Sequence, residues 1–237
     1  MSIASEITRL QTAKSDLATS IANKGVTVPA SATLDDYAAL VDSIQTGGGG
    51  SILPYDAEIE YLQSTGTQWI DTGVTVGGTN NIIVELKVAQ TVDTTAVSFY
   101  FTQHLSGSNH FAVYVNASNK YACIYKGKWA ASTTSTDRSV YVINYDNGKL
   151  YKDGTLLVTA SSTTSVTTSK TLSLFSDHGS DSNKFKLYYF KLMSNHVTVL
   201  DMIPVRVGQV GYMYDRVSKT LFGNAGTDSF ILGADVI

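Results

Sequence analysis

The residues of this chain that could perform acid–base chemistry are few and widely separated. Glycoside hydrolysis needs two carboxyl groups that face each other across a sugar, roughly 5–10 Å apart. Glu58 and Glu60 would share one face of a strand, but no further acid follows them in a pattern such as Glu-x-Asp-x-x-Glu. Solvated charges that discourage edge-to-edge pairing of strands explain these two glutamates better. The sequence therefore predicts no catalytic residue, and we expect the chain not to be an enzyme.

A second polar group, Asp177-His178, could serve nucleophilic catalysis or, together with Asp181, hold calcium. A nucleophilic triad needs a serine, a base and an acid placed by the fold, and calcium takes about six to eight oxygens. Loop composition explains the segment equally well. The histidines, at positions 104, 110, 178 and 196, lack zinc-ligand spacing. Cys123 is the only cysteine, which excludes an internal disulfide. We predict neither a metal ion nor a cofactor.

The best candidates for ligand binding are aromatic, because flat ring faces stack on sugar rings while nearby amides and hydroxyls orient the sugar. Trp129 lies in Tyr125-Lys-Gly-Lys-Trp-Ala-Ala-Ser132, a predicted loop after a strand. We predict that Trp129 contacts the ligand and that Tyr125 assists it. The alternative is that Trp129 packs on the edge of the domain. Trp69, within a predicted strand, is expected to lie in the core.

Charge and hydropathy exclude two classes of partner. The net charge is −3 and the basic residues are scattered, so the chain lacks the positive surface that a nucleic-acid backbone requires. No stretch approaches the ~20 apolar residues that span a bilayer, and the N terminus does not resemble a signal peptide. We expect neither nucleic-acid binding nor membrane insertion.

The chain divides at a glycine-rich segment, Thr46–Ser51. Before it, apolar residues recur at three- and four-residue steps, which is typical of one helix face. After it, short runs alternate apolar with polar residues, which is typical of half-buried strands. We predict a helical segment at 1–46, a linker at 47–52 and an all-β domain at 53–237. A glycine-rich linker is flexible, so the two modules should reorient freely.

The helical segment carries an apolar stripe with a possible coiled-coil spacing. Its members are Ile3, Ile7, Leu10, Leu17 and Ile21, with Lys14 interrupting the series. A second helix is predicted after Thr33, which resembles an N-cap, with Tyr37 on its apolar face. Two interpretations stay open. The helices form a monomeric hairpin, or the stripe packs against copies of itself in a homo-oligomer, a dimer or trimer.

The β region repeats a pattern of strand, turn and strand. Candidate strands are Ala57–Leu62, Gln68–Val74, Asn81–Ala89, Ala96–Leu105, His110–Asn116, Lys120–Tyr125, Ser139–Tyr145, Lys149–Lys152, Thr155–Thr159, Thr171–Phe175, Lys184–Met193, Val197–Pro204 and Val210–Asp215. Tight hairpin turns are predicted at Asn147-Gly148, Asp153-Gly154 and Asn195-His196. Short strands bounded by turn residues indicate a β-sandwich.

Several segments carry a family resemblance. Residues 149–158 and 184–205 resemble hairpins of concanavalin-A-like and laminin-G-like sandwiches. Residues 59–73 and 211–228 are similar to the opening and closing segments of a laminin-G-like module common in tailed-phage proteins. The resemblance implies a mainly β protein, an antiparallel laminin-G-like (concanavalin-A-like) sandwich or jelly roll, preceded by a small helix-loop-helix.

The N-terminal segments 6–14, 23–29 and 34–37 resemble an attachment element of phage tail and head-appendage proteins. Both resemblances together imply a bacteriophage fibre or decoration subunit on the surface of the virion. Its helices would bind other virion proteins, and its sandwich would adhere to host-surface glycans. A structural appendage without a ligand is the alternative, and a glycan depolymerase is disfavoured because the carboxylate motif is missing.

Overall fold

The computed structural model describes residues 2–24, 26–43, 53–77, 81–93, 95–105, 110–163, 168–180 and 183–236. The predicted linker at 47–52 and the candidate calcium ligand Asp181 lie outside these residues. The chain separates into two units, Met1–Leu53 and Pro54–Ile237. Within the described ranges, no helix is both long and apolar enough to cross a bilayer.

The first unit contains α1 (Ile3–Ala22) and α2 (Asp36–Asp42). The helix α1 begins after Ser2, whose side chain accepts a hydrogen bond from the Ser5 amide, as an N-cap does. The predicted cap at Thr33 is wrong, because the helix starts three residues later. Instead, the Asp36 carboxylate accepts hydrogen bonds from the Thr33 amide and hydroxyl at 2.6 and 2.8 Å, which lower the pKa of Asp36.

Among the described residues, the two helices pack on each other along the second half of α1. Ile21, Ala32 and Tyr37 form a small core, and the Tyr37 hydroxyl donates to the Lys14 carbonyl at 3.3 Å. The rest of the predicted stripe is exposed, from 82% at Ile3 to 40% at Leu17. Ile21 is 2% exposed, so its assignment to an intermolecular stripe is corrected: it belongs to the hairpin.

The second unit is an antiparallel β-sandwich, which confirms the predicted fold class. In chain order the strands are β1 (Ala57–Glu58), β2 (Leu62–Gln63), β3 (Ile70–Asp71), β4 (Ile82–Gln90), β5 (Ser98–Leu105), β6 (His110–Val115), β7 (Lys120–Tyr125), β8 (Lys128–Ser135), β9 (Tyr141–Asp146), β10 (Lys149–Lys152), β11 (Thr155–Thr159), β12 (Thr168–Leu174), β13 (Phe185–Ser194), β14 (Val197–Val207), β15 (Val210–Asp215), β16 (Thr220–Phe222) and β17 (Ile231–Leu232).

Two sheets enclose the core. Among the described residues, the smaller sheet has the order β3-β12-β5-β6-β7-β8. The larger sheet has the order β11-β10-β9-β4-β13-β14-β15-β16, with β1 paired to β14 and β2 paired to β13 and β17. One continuous cluster of buried side chains from both sheets fills the space between them. The smaller sheet therefore ends at β8, an edge strand.

The predicted hairpins are confirmed, and their turns share one backbone geometry. Both central residues have positive φ at Asn147-Gly148, Asp153-Gly154 and Asn195-His196. Such turns match the right-handed twist of the strands that they join. Lys126-Gly127, with φ values of 46° and 76°, makes a fourth turn of this kind between β7 and β8. The sequence pattern does not predict this hairpin, and it indicates a loop where the second strand, β8, lies.

Buried tyrosines connect the two sheets across the core. Tyr145 of β9 donates its hydroxyl hydrogen bond to the Ile124 carbonyl of β7 at 2.9 Å. The hydroxyls of Tyr100 (β5) and Tyr141 (β9) lie 2.6 Å apart. Burial raises the pKa of Tyr145 well above its ordinary value, so its hydroxyl stays protonated and remains a donor. These bonds fix where β7 and β5 sit relative to the larger sheet.

The substitution Tyr145→Phe should lower the free energy of unfolding by about 1–2 kcal/mol, because the Ile124 carbonyl loses a buried donor. Tyr151→Phe is the matched control: Tyr151 is half-buried and its hydroxyl makes no hydrogen bond within the described residues. The control should change stability by less than about 0.5 kcal/mol. Urea unfolding of both variants measures the difference, and equal stabilities would contradict this role of Tyr145.

Candidate functional site

Trp129 lies on the edge strand β8, directly opposite Ile124 of β7. Its predicted position in a loop is therefore wrong. The side chain is 71% exposed, the highest value among the larger hydrophobic side chains of the described sandwich. A tryptophan left this open gains little from burial. Trp129 is therefore available to a ligand and is not packed on the edge of the domain.

The residues around Trp129 form a flat apolar surface on the outer face of the smaller sheet. Side chains on a strand alternate between faces. Tyr121 and Cys123 belong to the core between the sheets, whereas Ile124 belongs to a separate cluster with Phe99 and Ala112. We call the outer surface the aromatic platform. Its members are Phe99, Ala112, Tyr114, Ala122, Ile124, Trp129 and Ala131.

Tyr114 is the second aromatic group of the platform, and its ring packs against Phe99 at a centroid distance of 5.3 Å. Tyr114 lies opposite Ala122, and Trp129 lies opposite Ile124. The two aromatic residues are thus two strands and two positions apart, which places their Cα atoms roughly 12 Å from each other. Ala122 and Ile124, which lie between them, are buried at 0% and 9% exposure. Two separated rings on one sheet face can contact successive parts of an extended ligand.

Polar groups accompany the two rings. Burial raises the pKa of Tyr114, so its hydroxyl is neutral and can donate a hydrogen bond. This hydroxyl has no partner in the described part of the chain. Along the same sheet edge, the Lys120 ammonium donates to the Thr133 carbonyl and the Ser135 hydroxyl, each at 2.7 Å. The platform therefore combines ring faces with hydroxyl and ammonium donors.

Tyr125 does not join this surface. It ends β7 at a position that faces the core, where it packs against the buried cluster, and the Lys126 ammonium lies 5.1 Å from its ring centroid. Tyr125 and Trp129 consequently lie on opposite faces of one sheet. The predicted partnership of Tyr125 with Trp129 is corrected by this placement. Tyr114, which has no predicted role, shares the outer face with Trp129 instead. Alternation along β6 reveals this face only once the pairing of β6, β7 and β8 is known.

The acidic candidates lie elsewhere. Ile59 is buried, so Glu58 and Glu60 on either side of it point away from the core of the larger sheet. The carboxylate of Glu58 accepts a hydrogen bond from the Tyr55 hydroxyl at 3.0 Å. Both glutamates are thus on the opposite side of the sandwich from Trp129. The described residues contain no cluster of metal-binding side chains.

Asp177 and His178 are placed against Trp69 rather than near the platform. His178 lies 3.1 Å from the Asp177 carboxylate and 3.0 Å from the Thr171 carbonyl, and its ring centroid lies 5.8 Å from that of Trp69. Trp69 packs against the core cluster but is only partly buried, so the prediction of a core residue is only partly correct. Its remaining exposed edge lines a cleft.

Comparison with known proteins gives structural matches only. No family model and no curated protein matches the chain. A proposed carbohydrate-binding protein from Bacteroides ovatus is similar, with a TM-score of 0.52 and 9% identity over 76% of this chain and 61% of that one. A sialidase from Trypanosoma rangeli gives 0.44 and 10% over 59% and 26%. A carbohydrate-binding module from Bacillus subtilis gives 0.34 and 12% over 56% and 96%.

These likenesses concern the fold, a concanavalin-A-like sandwich. This chain spans less than two thirds of the length of both the Bacteroides ovatus protein and the sialidase. The prediction that the chain is not an enzyme is overturned, because several sialidase structures are among the matches, at TM-scores from 0.38 to 0.44.

The substitution Trp129→Ala should change the free energy of unfolding by less than about 0.5 kcal/mol, because an exposed side chain contributes little to the native state. Phe111→Ala, at a buried position of strand β6 in the same sheet, should cost about 3–5 kcal/mol. Urea unfolding compares the two variants. A loss above about 1.5 kcal/mol for Trp129→Ala would mean that its ring packs on the domain.

Proposed function

We propose that the sandwich, residues 54–237, is a carbohydrate-binding domain that adheres to surface glycans through the aromatic platform. The observation that carries this proposal is Trp129: a large apolar ring held on a rigid strand and left exposed. Exposed aromatic residues of this kind mark binding surfaces, because exposure to water brings no benefit to the folded state.

The chemistry of the platform fits a sugar better than a protein partner. The alternating apolar and hydroxyl-bearing surfaces of a sugar match ring faces with donors at their rims. The Tyr114 hydroxyl and the Lys120 ammonium supply such donors beside the two rings. The carbohydrate-binding descriptions of similar structures agree with this proposal, although the proposal rests on the platform itself.

Binding to a glycan array should identify ligands for the full chain, and Trp129→Ala should weaken the affinity at least roughly tenfold, because the removed ring supplies a central contact. Trp129→Phe should retain part of the affinity. Val197→Ala is the matched control, since Val197 is also exposed but lies in the larger sheet. An unchanged affinity of Trp129→Ala would contradict the aromatic platform as the binding surface. If the full chain binds no glycan, a purely structural appendage is favoured.

We also propose that the exposed stripe of α1 associates with a second or third copy of the chain. Ile3, Ile7, Leu10 and Leu17 follow the spacing of a coiled coil, and they are exposed and lie outside the small apolar cluster of the described unit. An isolated pair of short helices is marginal in water, so association would stabilise it. Several sandwiches held together would bind a glycan-coated surface with an avidity far above that of one domain.

Light scattering tests this association. The full chain should have a mass of two or three times 25.5 kDa, and Leu10→Asp should give the monomer mass, because a buried carboxylate in the seam is strongly unfavourable. Gln11→Asp, at an exposed position next to it, should leave the oligomer intact. A full chain that already has the monomer mass would contradict the proposal.

The biological setting that we propose is a bacteriophage virion, in which the helices bind other virion proteins and the sandwich faces outward as a fibre or decoration subunit. Support for this setting comes from the sequence resemblance of both halves of the chain to phage proteins. A surface that meets host glycans in many copies is consistent with the platform and with the exposed stripe.

A further inference from the structure

A second candidate site lies where the first and last parts of the sandwich meet. The Ala225 amide donates to the Trp69 carbonyl at 2.8 Å, and the Trp69 amide donates to the Asn224 side chain at 3.1 Å. The Thr67 hydroxyl donates to the Thr227 carbonyl at 3.1 Å. These bonds fix a cleft of about 340 Å³ whose lining includes Thr67, Trp69, Ser176, Gly179, Gly226 and Thr227. A cavity of this size lies within the range of small-molecule sites.

Two glycines keep the cleft open beside the indole ring of Trp69. A Cβ atom at Gly179 would lie 3.2 Å from the indole Nε1, and one at Gly226 would lie 2.9 Å from Cδ1. Gly179 has a φ of +83° and Gly226 approaches the Thr67 carbonyl closely, so the turns also require these glycines. The backbones of both glycines therefore lie close to the N–H edge of the ring, where a side chain would collide with it.

Two hydrogen-bond donors in this cleft are unused. The indole N–H of Trp69 has no acceptor in the described part of the chain. Ser176 is 2% exposed; its oxygen accepts a hydrogen bond from the Gly179 amide at 2.8 Å, but its hydroxyl proton has no acceptor among the same residues. Two donors at one cleft that the described residues do not use fit a ligand that brings acceptor oxygens.

The indole ring is held in place from behind. The ring of His178 packs against it, and contacts with Asp177 and the Thr171 carbonyl fix the imidazole. The face of Trp69 on that side is therefore occupied. A ligand would meet the edge of the indole, by a hydrogen bond to Nε1, rather than stack on the ring as at Trp129.

We propose that this cleft is a second carbohydrate-binding site, which takes a single sugar unit through the Trp69 N–H and the Ser176 hydroxyl. This inference rests on the proposed function of the sandwich. The cleft adjoins β3, at the opposite edge of the smaller sheet from β8, so it is separate from the platform. The sandwich can then hold two points of one long glycan, or two glycans, at opposite edges of one sheet.

The test uses the full chain and every glycan that it binds on an array. Trp69→Phe keeps an aromatic ring but removes the donor, and it should weaken binding of a subset of these glycans roughly fivefold. Thr227→Arg fills the cleft from an exposed position and should weaken the same subset. In the variant Trp129→Phe, Trp69 is the remaining tryptophan of two, and its fluorescence should change when that subset binds.

The outcomes separate the two proposals. If Trp129→Ala weakens all binding while Trp69→Phe and Thr227→Arg change nothing, the cleft is not a site and the platform stands. If the cleft variants alone weaken binding, the cleft stands without the platform. If the full chain binds no glycan, both proposals fail. Urea unfolding of each variant shows whether it is folded. If Trp69→Phe is unstable, the binding of a folded Thr227→Arg variant decides whether the cleft is a glycan site.

Discussion

The structure depends on the buried apolar contact between its two sheets, because a chain with one cysteine has no internal disulfide to join them. Phe101 of the smaller sheet packs against Phe190 and Tyr145 of the larger sheet, at centroid distances of 5.6 and 6.0 Å. Aromatic pairs of this kind add to the gain from burial, and their geometry fixes how the sheets align. The bond from the Tyr145 hydroxyl to the Ile124 carbonyl extends that alignment to β7. Ile124 lies opposite Trp129, so the core determines where the exposed ring stands.

Both candidate sites lie at edges of the same sheet, where a strand has a free side. The row of directly opposed residues Trp129, Ile124, Ala112, Thr102 and Ser173 crosses the outer face of this sheet. Ser173 in turn donates to the Ser176 carbonyl at 2.6 Å, next to the Trp69 cleft. Small or buried side chains occupy the middle of the row, and the tryptophans stand near its ends. A rigid sheet thereby holds two binding groups at a fixed separation.

Sequence patterns predicted the fold well where the local chemistry is distinctive. Asn-Gly and Asp-Gly at the turns, with alternating strands on both sides, were sufficient to predict the β9–β10–β11 meander. The same turn geometry at Lys126-Gly127 was missed because lysine is not a usual residue at positive φ, and Trp129 was misplaced with it. The site also depends on contacts between distant segments. No local pattern shows that Tyr114 shares a face with Trp129, or that Trp69 meets residues 224–227, since strand pairing alone brings them together.

The most direct test of the central claim, that glycans bind the outer face of the smaller sheet, is a nuclear magnetic resonance titration of the ¹⁵N-labelled chain with a glycan that binds it. The chain has two tryptophans, and the variant Trp129→Phe assigns their two indole N–H signals. We expect the Trp129 indole signal to shift with saturation at the measured affinity, together with amides of β6, β7 and β8. A glycan that binds while the Trp129 signal and those amides stay unchanged would contradict the account.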